Sequence, residues 1–477
     1  MVQFAWLECI NNNVIIMVLC RFSGTFRQIA ACVVGSLPVF MAGIVLGWPS
    51  PVIEYMTAGL GPVTLSPTQT SWMIAFIDVG NFFMAIPAGW LMDWMGRKFV
   101  LTISGPLMVV GWLFILFGSR PWQLYVARLL QGAAVAIGFV VAPAYVGELA
   151  SVRIRGKLGL LIQVCYGTGL QFSYTAGWLF NDYTALAIAS ACVSVVSSVL
   201  FLFLPESPYY LMLTGQLDDA TKCLWNLRSY TAQELESEIV TVKGSVMNDT
   251  RDKTNLGNLL TRDRRPLVIV LVMAVLQMAS GASVLEAYGS ALLAGYGVSS
   301  NVLAVFLGLT ILVAAVPFML AVDRYGRRPL MLVSCFGTAV CHALVVYFLW
   351  HRLAGGAADN WWLPLFASIS GVQFFINIGI MPMLAVVECE YFPSDTRALA
   401  DTAVVLTLTL SSTVAITTYQ ATGGFSQVVN YAVYAALSLA GGVFCYVFMP
   451  ETKCKTFVEI QKDFRPLDCL TQEYDHI

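Results

Sequence analysis

Asp323-Arg324-Tyr325-Gly326-Arg327-Arg328 follows one long apolar run, and Asp93-Trp94-Met95-Gly96-Arg97-Lys98 follows another, 230 positions earlier (323 minus 93). Each is a polar turn with a central glycine, the residue that lets a chain reverse tightly between two helices. Two further pairs flank this one in matching order. Glu148 with Arg153 and Arg155-Gly156 is answered by Glu390 with Arg397, and Pro205-Glu206-Ser207-Pro208 by Pro450-Glu451-Thr452-Lys453. Three ordered pairs define an internal repeat.

The residues between these junctions set the solvent. Of 477 residues 58% are hydrophobic and 11% charged, against about 25% charged in an average soluble chain, so lipid must solvate much of the surface. A window of about 20 residues finds six spans in each half. The first six are Ile29–Trp48, Gln69–Met92, Phe99–Gly118, Trp122–Val146, Lys157–Phe180 and Thr184–Leu204; the second six are Pro266–Ser290, Ser300–Val322, Leu330–Trp350, Leu363–Val387, Ala398–Ala421 and Gln427–Met449. The expected organisation is an N-terminal segment 1–28, a bundle 29–205, a charged helical insert 206–265 with helical pieces Leu217–Leu227 and Ala232–Val242, a bundle 266–449 and a tail 450–477.

Lysine and arginine are retained on the cytoplasmic side of a membrane. With both termini inside, 23 of the 26 fall there, the exceptions being Arg120, Arg128 and Arg352 (26 minus 3). Asn248-Asp249-Thr250 then lies in the cytosolic insert and is expected to escape glycosylation. The apolar patch Val14–Cys20 follows three asparagines rather than a basic segment, so no cleaved signal is expected. The twelve cysteines are scattered through apolar runs and read as small buried hydrophobes.

Together with Tyr145-x-x-Glu148 ahead of Arg155-Gly156, the D-x-x-G-R-[RK] turns, P-E-S-P and P-E-T-K resemble the sugar porter family of the major facilitator superfamily, from the first span to about Ile460. The resemblance implies an all-α membrane protein: the major facilitator fold, two six-helix bundles with a cytoplasmic helical insert. It also implies a network that closes the cytoplasmic side, here Asp93, Gly96, Arg97, Lys98, Glu148, Arg155, Glu206, Asp323, Gly326, Arg327, Arg328, Glu390, Arg397 and Glu451. Partly exposed ion pairs contribute about 0.2 to 1 kcal/mol each, whereas moving a two-state equilibrium from 1:99 to 99:1 takes about 5.5 kcal/mol. Several pairs must therefore act together to latch a conformation.

Polar side chains inside a bilayer either pair across the bundle or face a cavity. Gln163 stands where the family's fifth helix carries a sugar-binding glutamine, and Gln277-Met278-Ala279-Ser280-Gly281 is similar to the family's Q-Q-x-S-G. Tyr288 matches an occluding aromatic residue. Ser283 stands in place of an expected asparagine, Asn377 in place of an acid, and these five are the candidate substrate-binding residues. Met278, Ala385 and Leu408 stand where the family offers a glutamine, a stacking tryptophan and an asparagine, so the expected site is more apolar than a glucose site. Asp78 and Glu286 are acids within spans and candidate proton carriers; Pro49 lies near the position where symporters of the family carry an aspartate.

No G-x-x-x-x-G-K-[ST] phosphate loop is present, which disfavours a pump driven by nucleotide. His342, His351 and His476 form no ligand or nucleophile-base cluster, so neither an enzyme nor a metal or other cofactor is expected. The net charge of −2 gives no case for nucleic acid. The expected function is facilitated diffusion of a monosaccharide or trehalose-like sugar by alternating access, at the plasma membrane. The alternatives are a proton-coupled sugar symporter and a sensor-like protein that no longer moves solute.

Overall fold

A computed structural model describes residues 24–57, 59, 61–228, 235–237, 239–240, 243–244, 256–292, 299–354, 362–422, 427–453, 455, 459–460 and 464. Among them every regular element is helical, and eleven helices are long and apolar enough to cross a membrane. In chain order, and counting the 29-residue helix Val152–Phe180 in the expected fifth place, they are α1 (Gly24–Ile53), α2 (Pro67–Met95), α3 (Arg97–Phe117), α4 (Pro121–Leu149), α5 (Val152–Phe180) and α6 (Tyr183–Leu202). The second series is α7 (Arg264–Ala279 with Ala282–Leu292), α8 (Ser300–Tyr325), α9 (Arg327–Leu353), α10 (Trp362–Tyr391), α11 (Ser394–Thr422) and α12 (Gln427–Phe448). An α-helix satisfies its own backbone polar groups, the one open-ended solution available in hydrocarbon. Large apolar side chains such as Phe83, Phe117 and Leu320 accordingly stand exposed on the helix surfaces.

The chain forms two compact units. The described residues of Met1–Leu46, Val79–Ala176 and Phe180–Asp252 make up the first, and those of Gly47–Asp78, Gly177–Leu179 and Lys253–Ile477 the second. In the first, α3 packs on α4 and α6, and the start of α1 packs on α4. The insert adds Pro208–Leu213 and Leu217–Arg228, whose Met212, Ala220 and Leu224 bury one another with Leu235. Arg27 Nη1 donates to the Asn226 carbonyl at 2.5 Å and ties α1 to that insert. Of the expected helical piece Ala232–Val242, only residues 235–237 and 239–240 are described; Asn248-Asp249-Thr250 and the two chain ends lie outside the described residues.

In the second unit α9 packs on α10 and α12, α7 packs on α11, and Pro49–Thr57 packs on Ala282–Leu292. Two of its spans, expected to be continuous, are interrupted. In α7 the helix stops at Ala279 and restarts at Ala282, with Gly281 at φ +84°. Ser280 helps end the first piece, since its Oγ donates to the Gln277 carbonyl at 2.7 Å and competes with the helical ladder. In α10 a π-helical turn, Ile376–Ile380, separates Trp362–Phe375 from Met381–Tyr391, and Pro382, which has no amide hydrogen, follows it. The Ser334 hydroxyl of α9 braces that turn, donating to the Phe375 carbonyl at 2.5 Å and accepting from the Ile380 amide at 3.0 Å.

Candidate functional site

The repeated turns build two networks of the same design, one in each unit. In the first, Gly96 (φ +92°) separates α2 from α3 and leaves Arg97 as the first residue of α3. Arg97 is 3% exposed. Its Nε meets Glu148 Oε1 at 3.1 Å, one Nη meets Asp93 Oδ1 at 3.2 Å, and the other donates to the Met92 carbonyl at 3.1 Å. The rings of Tyr209 and Tyr210 lie 5.5 and 5.7 Å from the guanidinium carbon, within cation–π range. Glu206 Oε1 accepts from the Lys98 amide at 3.1 Å and the Ser207 amide at 2.9 Å, while the Ser207 hydroxyl donates to Glu148 Oε2. Tyr145 closes the cluster through its hydroxyl, which donates to the Pro205 carbonyl at 2.7 Å.

The second network repeats these roles. Gly326 (φ +101°) precedes Arg327, whose two guanidinium nitrogens reach Glu390 Oε1 at 3.0 and 2.8 Å and whose Nη1 donates to the Val322 carbonyl at 3.1 Å. Glu451 accepts from the amides of Arg327 (3.0 Å), Arg328 (3.0 Å) and Lys453 (2.9 Å), and the Thr452 hydroxyl donates to Glu390 Oε2 at 2.5 Å. Ser207 and Thr452 thus do the same work, tying the post-span acid to the arginine-bound glutamate. Arg397 does not join them: it donates to the carbonyls of Phe392 and Cys389, at 3.0 Å each, and so satisfies the end of α10, where helical carbonyls lack partners. Arg155 and Asp323 fall outside the described side chains.

The carboxyls of the two post-span acids are shifted in opposite directions. Burial lifts the Glu206 carboxyl above the usual glutamate range, and the Ser207 and Lys98 amides and the Arg97 charge only partly offset it. Burial pushes Glu451 upward as well, but the amides of Lys453, Arg327, Arg328 and Thr452 outweigh it and hold the carboxyl below that range. The junction at Glu206 is therefore most favourable at acid pH and loses stability as pH rises through its raised value. The junction at Glu451 keeps its stability above the ordinary value, about 4.3 for a free glutamate, and loses it as pH falls through its lowered one. In an infrared titration, the carboxyl band removed by Glu206→Gln is expected to ionise at higher pH than the band removed by Glu451→Gln; the reverse order would contradict this geometry.

The candidate binding residues fall in several places. Gln163 is half-buried on α5. On the first piece of α7, Gln277 is 5% exposed, with Nε2 2.7 Å from Met381 Sδ of α10 and Oε1 buried without a protein partner. Ser283 Oγ, on the second piece, is likewise buried and partnerless. Asn377 sits in the π-helical turn, 2% exposed; Nδ2 donates to the Gln373 carbonyl at 2.9 Å, and Oδ1 has no protein partner. Tyr288 accepts from Gln420 Nε2 of α11 at 2.9 Å, with the Tyr419 ring 5.2 Å away.

Both span acids are buried. Asp78 Oδ2 accepts from the Thr413 hydroxyl of α11 at 3.5 Å, while Arg128 donates to the Val45 carbonyl at 2.9 Å and to Gln131 Oε1 at 3.2 Å. The sequence reading did not single out Gln373, Thr413, Gln420, Glu388 or Asp401. Gln373 Oε1, Glu388 Oε1 and Asp401 Oδ1 are buried without protein partners; a polar group inside an expected span is the signal that marks Gln373 and Asp401, whereas Glu388 falls one residue past the expected tenth span and inside the longer helix Trp362–Tyr391. Among the described residues no group of three or more metal-ligating side chains occurs.

These paired junctions, with eleven helices among the described residues long and apolar enough to cross a membrane, define a polytopic membrane protein with a duplicated carrier architecture. Residues 30–464 match the family model described as sugar (and other) transporter, and the chain belongs to that family. Among similar proteins, sugar transporter ERD6-like 6 of Arabidopsis thaliana is 28% identical over 446 residues, covering 92% of this chain and 91% of the relative. Facilitated trehalose transporter Tret1 of Polypedilum vanderplanki is 24% identical over 445 residues, covering 92% and 88%. The inward-open xylose transporter XylE from E. coli superposes with a TM-score of 0.77 at 19% identity over 91% of this chain and 99% of XylE. The proton:xylose symporter XylE bound to 6-bromo-6-deoxy-D-glucose gives 0.75 at 19% identity, over 93% and 100%. These superpositions establish the major facilitator fold.

Proposed function

We propose that this protein moves a sugar, a monosaccharide or a trehalose-like disaccharide, across the plasma membrane by facilitated diffusion, with both termini cytoplasmic. The observation that carries this reading is the set of buried, partnerless oxygens of Gln277, Ser283 and Asn377 on the two interrupted spans, α7 and α10. Leaving such groups unmet costs about 1 to 3 kcal/mol each, and a ligand dense in hydroxyls donates to the two amide oxygens and can donate to or accept from the Ser283 hydroxyl. The similar proteins, sugar transporters and a trehalose transporter, support the same substrate class. Gln163 and Tyr288 complete the proposed contacts, and the residues of the two glycine-arginine networks act as the cytoplasmic gate, latching one conformation of the alternating-access cycle.

Asp78 favours a second reading, proton-coupled symport, because it is an acid buried inside a span and its Oδ2 accepts from the neutral hydroxyl of Thr413. One experiment separates the readings. Purified protein in proteoliposomes is loaded with trehalose, glucose or fructose, and counterflow of the labelled sugar and external pH are recorded together. Facilitated diffusion predicts counterflow without pH change. Alkalinisation abolished by Asp78→Asn would establish symport, and no counterflow with any sugar would overturn the carrier reading in favour of a sensor.

A further inference from the structure

The break in α7 is met by one side chain from another helix. His342, on α9, is 0% exposed, and its Nε2 lies 2.9 Å from the Ser280 carbonyl, to which it donates. Around the imidazole stand two α12 rings, Tyr431 at 5.7 Å and Tyr434 at 5.8 Å between centroids, themselves edge-to-face at 5.8 Å. A Cβ on Gly281 would sit 2.9 Å from the Tyr434 ring, so one of the two rings that flank the histidine also fits closely against the break.

In an unbroken helix the Ser280 carbonyl would accept from the amide four residues on, Val284. Here the next ladder bond is Leu285 N to Gly281 O at 2.9 Å, and the Ser280 carbonyl is turned to the imidazole instead. One acceptor thus has two possible donors, the histidine when the helix is broken and the Val284 amide when it is continuous. Such a competition is a two-state element. The piece whose direction it sets, Ala282–Leu292, carries Ser283, Glu286 and Tyr288.

We propose that His342 is a positioning residue for transport: its Nε2–H holds the Ser280 carbonyl away from Val284 and so keeps α7 divided, setting the orientation of the segment that carries Ser283 and Tyr288. The proposal rests on the carrier reading for its consequence, but not for its structural content. Ser334 does a related job eight residues earlier on α9, yet it satisfies both a donor and an acceptor of the α10 turn. His342 meets a single carbonyl with a single proton, and that bond can be exchanged without stranding a second group of the broken span.

Hydrogen–deuterium exchange of the full-length protein in nanodiscs, read on fragments that isolate the Val284 amide, tests the competition without any sugar. His342→Ala should slow Val284 exchange about tenfold, the ratio expected for gaining one backbone hydrogen bond. Gly281→Ala, which disfavours the left-handed turn, should slow it in the same direction by a different route, and His342→Gln should stay near wild type because its amide also donates. Counterflow of labelled glucose and trehalose supplies the second readout. His342→Ala and Gly281→Ala should reduce the maximal rate about tenfold while the half-saturating concentration moves less than about threefold, the pattern of a perturbed conformational step. Unchanged Val284 exchange in His342→Ala, or slowing that His342→Gln reproduces, overturns the proposal. If exchange behaves as stated and no variant or wild-type protein moves either sugar, the hinge stands and the carrier reading falls.

Discussion

Arg97→Ala is expected to lower stability by about 3 to 5 kcal/mol, the cost of stripping the partner from a buried charge. Arg97 is 3% exposed, and its removal leaves the Glu148 carboxylate with the Ser207 hydroxyl in an otherwise enclosed position. It also leaves the Met92 carbonyl and two tyrosine faces without their cation. Arg97→Lys should recover only part of the loss, because an ammonium cannot span Glu148, Asp93 and the Met92 carbonyl as a planar fork does. The measurement is the thermal unfolding midpoint in detergent, with Lys222→Ala as the reference. Lys222 pairs with Asp219 on the surface, both well exposed, and such pairs contribute little. A midpoint for Arg97→Ala matching that of Lys222→Ala would mean that the network does not hold the junction together.

Gly326→Ala should be the next most damaging single change. At φ +101° and ψ 172° the backbone lies in a region that glycine alone occupies freely, and forcing another residue there costs about 1 to 3 kcal/mol. Sterics add to the strain. A Cβ would stand 2.6 Å from Glu451 Oε2, and that carboxylate cannot retreat without dropping the amides of Arg327, Arg328 and Lys453. Pairing the change with Glu451→Ala separates the two contributions, since the double variant keeps the backbone strain and loses the collision. Unfolding midpoints that simply add would show that the carboxylate plays no part. Gly96→Ala should behave alike, with its Cβ 2.5 Å from Glu206 Oε2.

The sequence displays the repeat and the membrane spans because both are local: a glycine-centred polar turn between apolar runs needs no knowledge of packing. The breaks were harder. Ser280-Gly281 and Gly379 with Pro382 are visible as residues, but the apolar runs on either side continue through them, and apolarity reports that a segment lies in lipid, not that it is straight. Ser207 and Thr452 stand inside the quoted P-E-S-P and P-E-T-K, yet their hydroxyls acquire a role only when the fourth and tenth spans bring Glu148 and Glu390 alongside. His342 shows the same limit more sharply. A histidine in an apolar run reads as a satisfied core residue, and only the packing of α9 against α7 and α12 reveals what it satisfies.

The first glycine-arginine network draws all the contacts described above from residues 92–210. At about 5 to 20 residues per second of synthesis, this stretch leaves the ribosome well before the residues that form its counterpart, which runs from Val322 to Lys453. The first junction can therefore close co-translationally, while the translocon still holds the nascent remainder, and its opposing charges are neutralised before a second set of like arginines and glutamates arrives to compete for them.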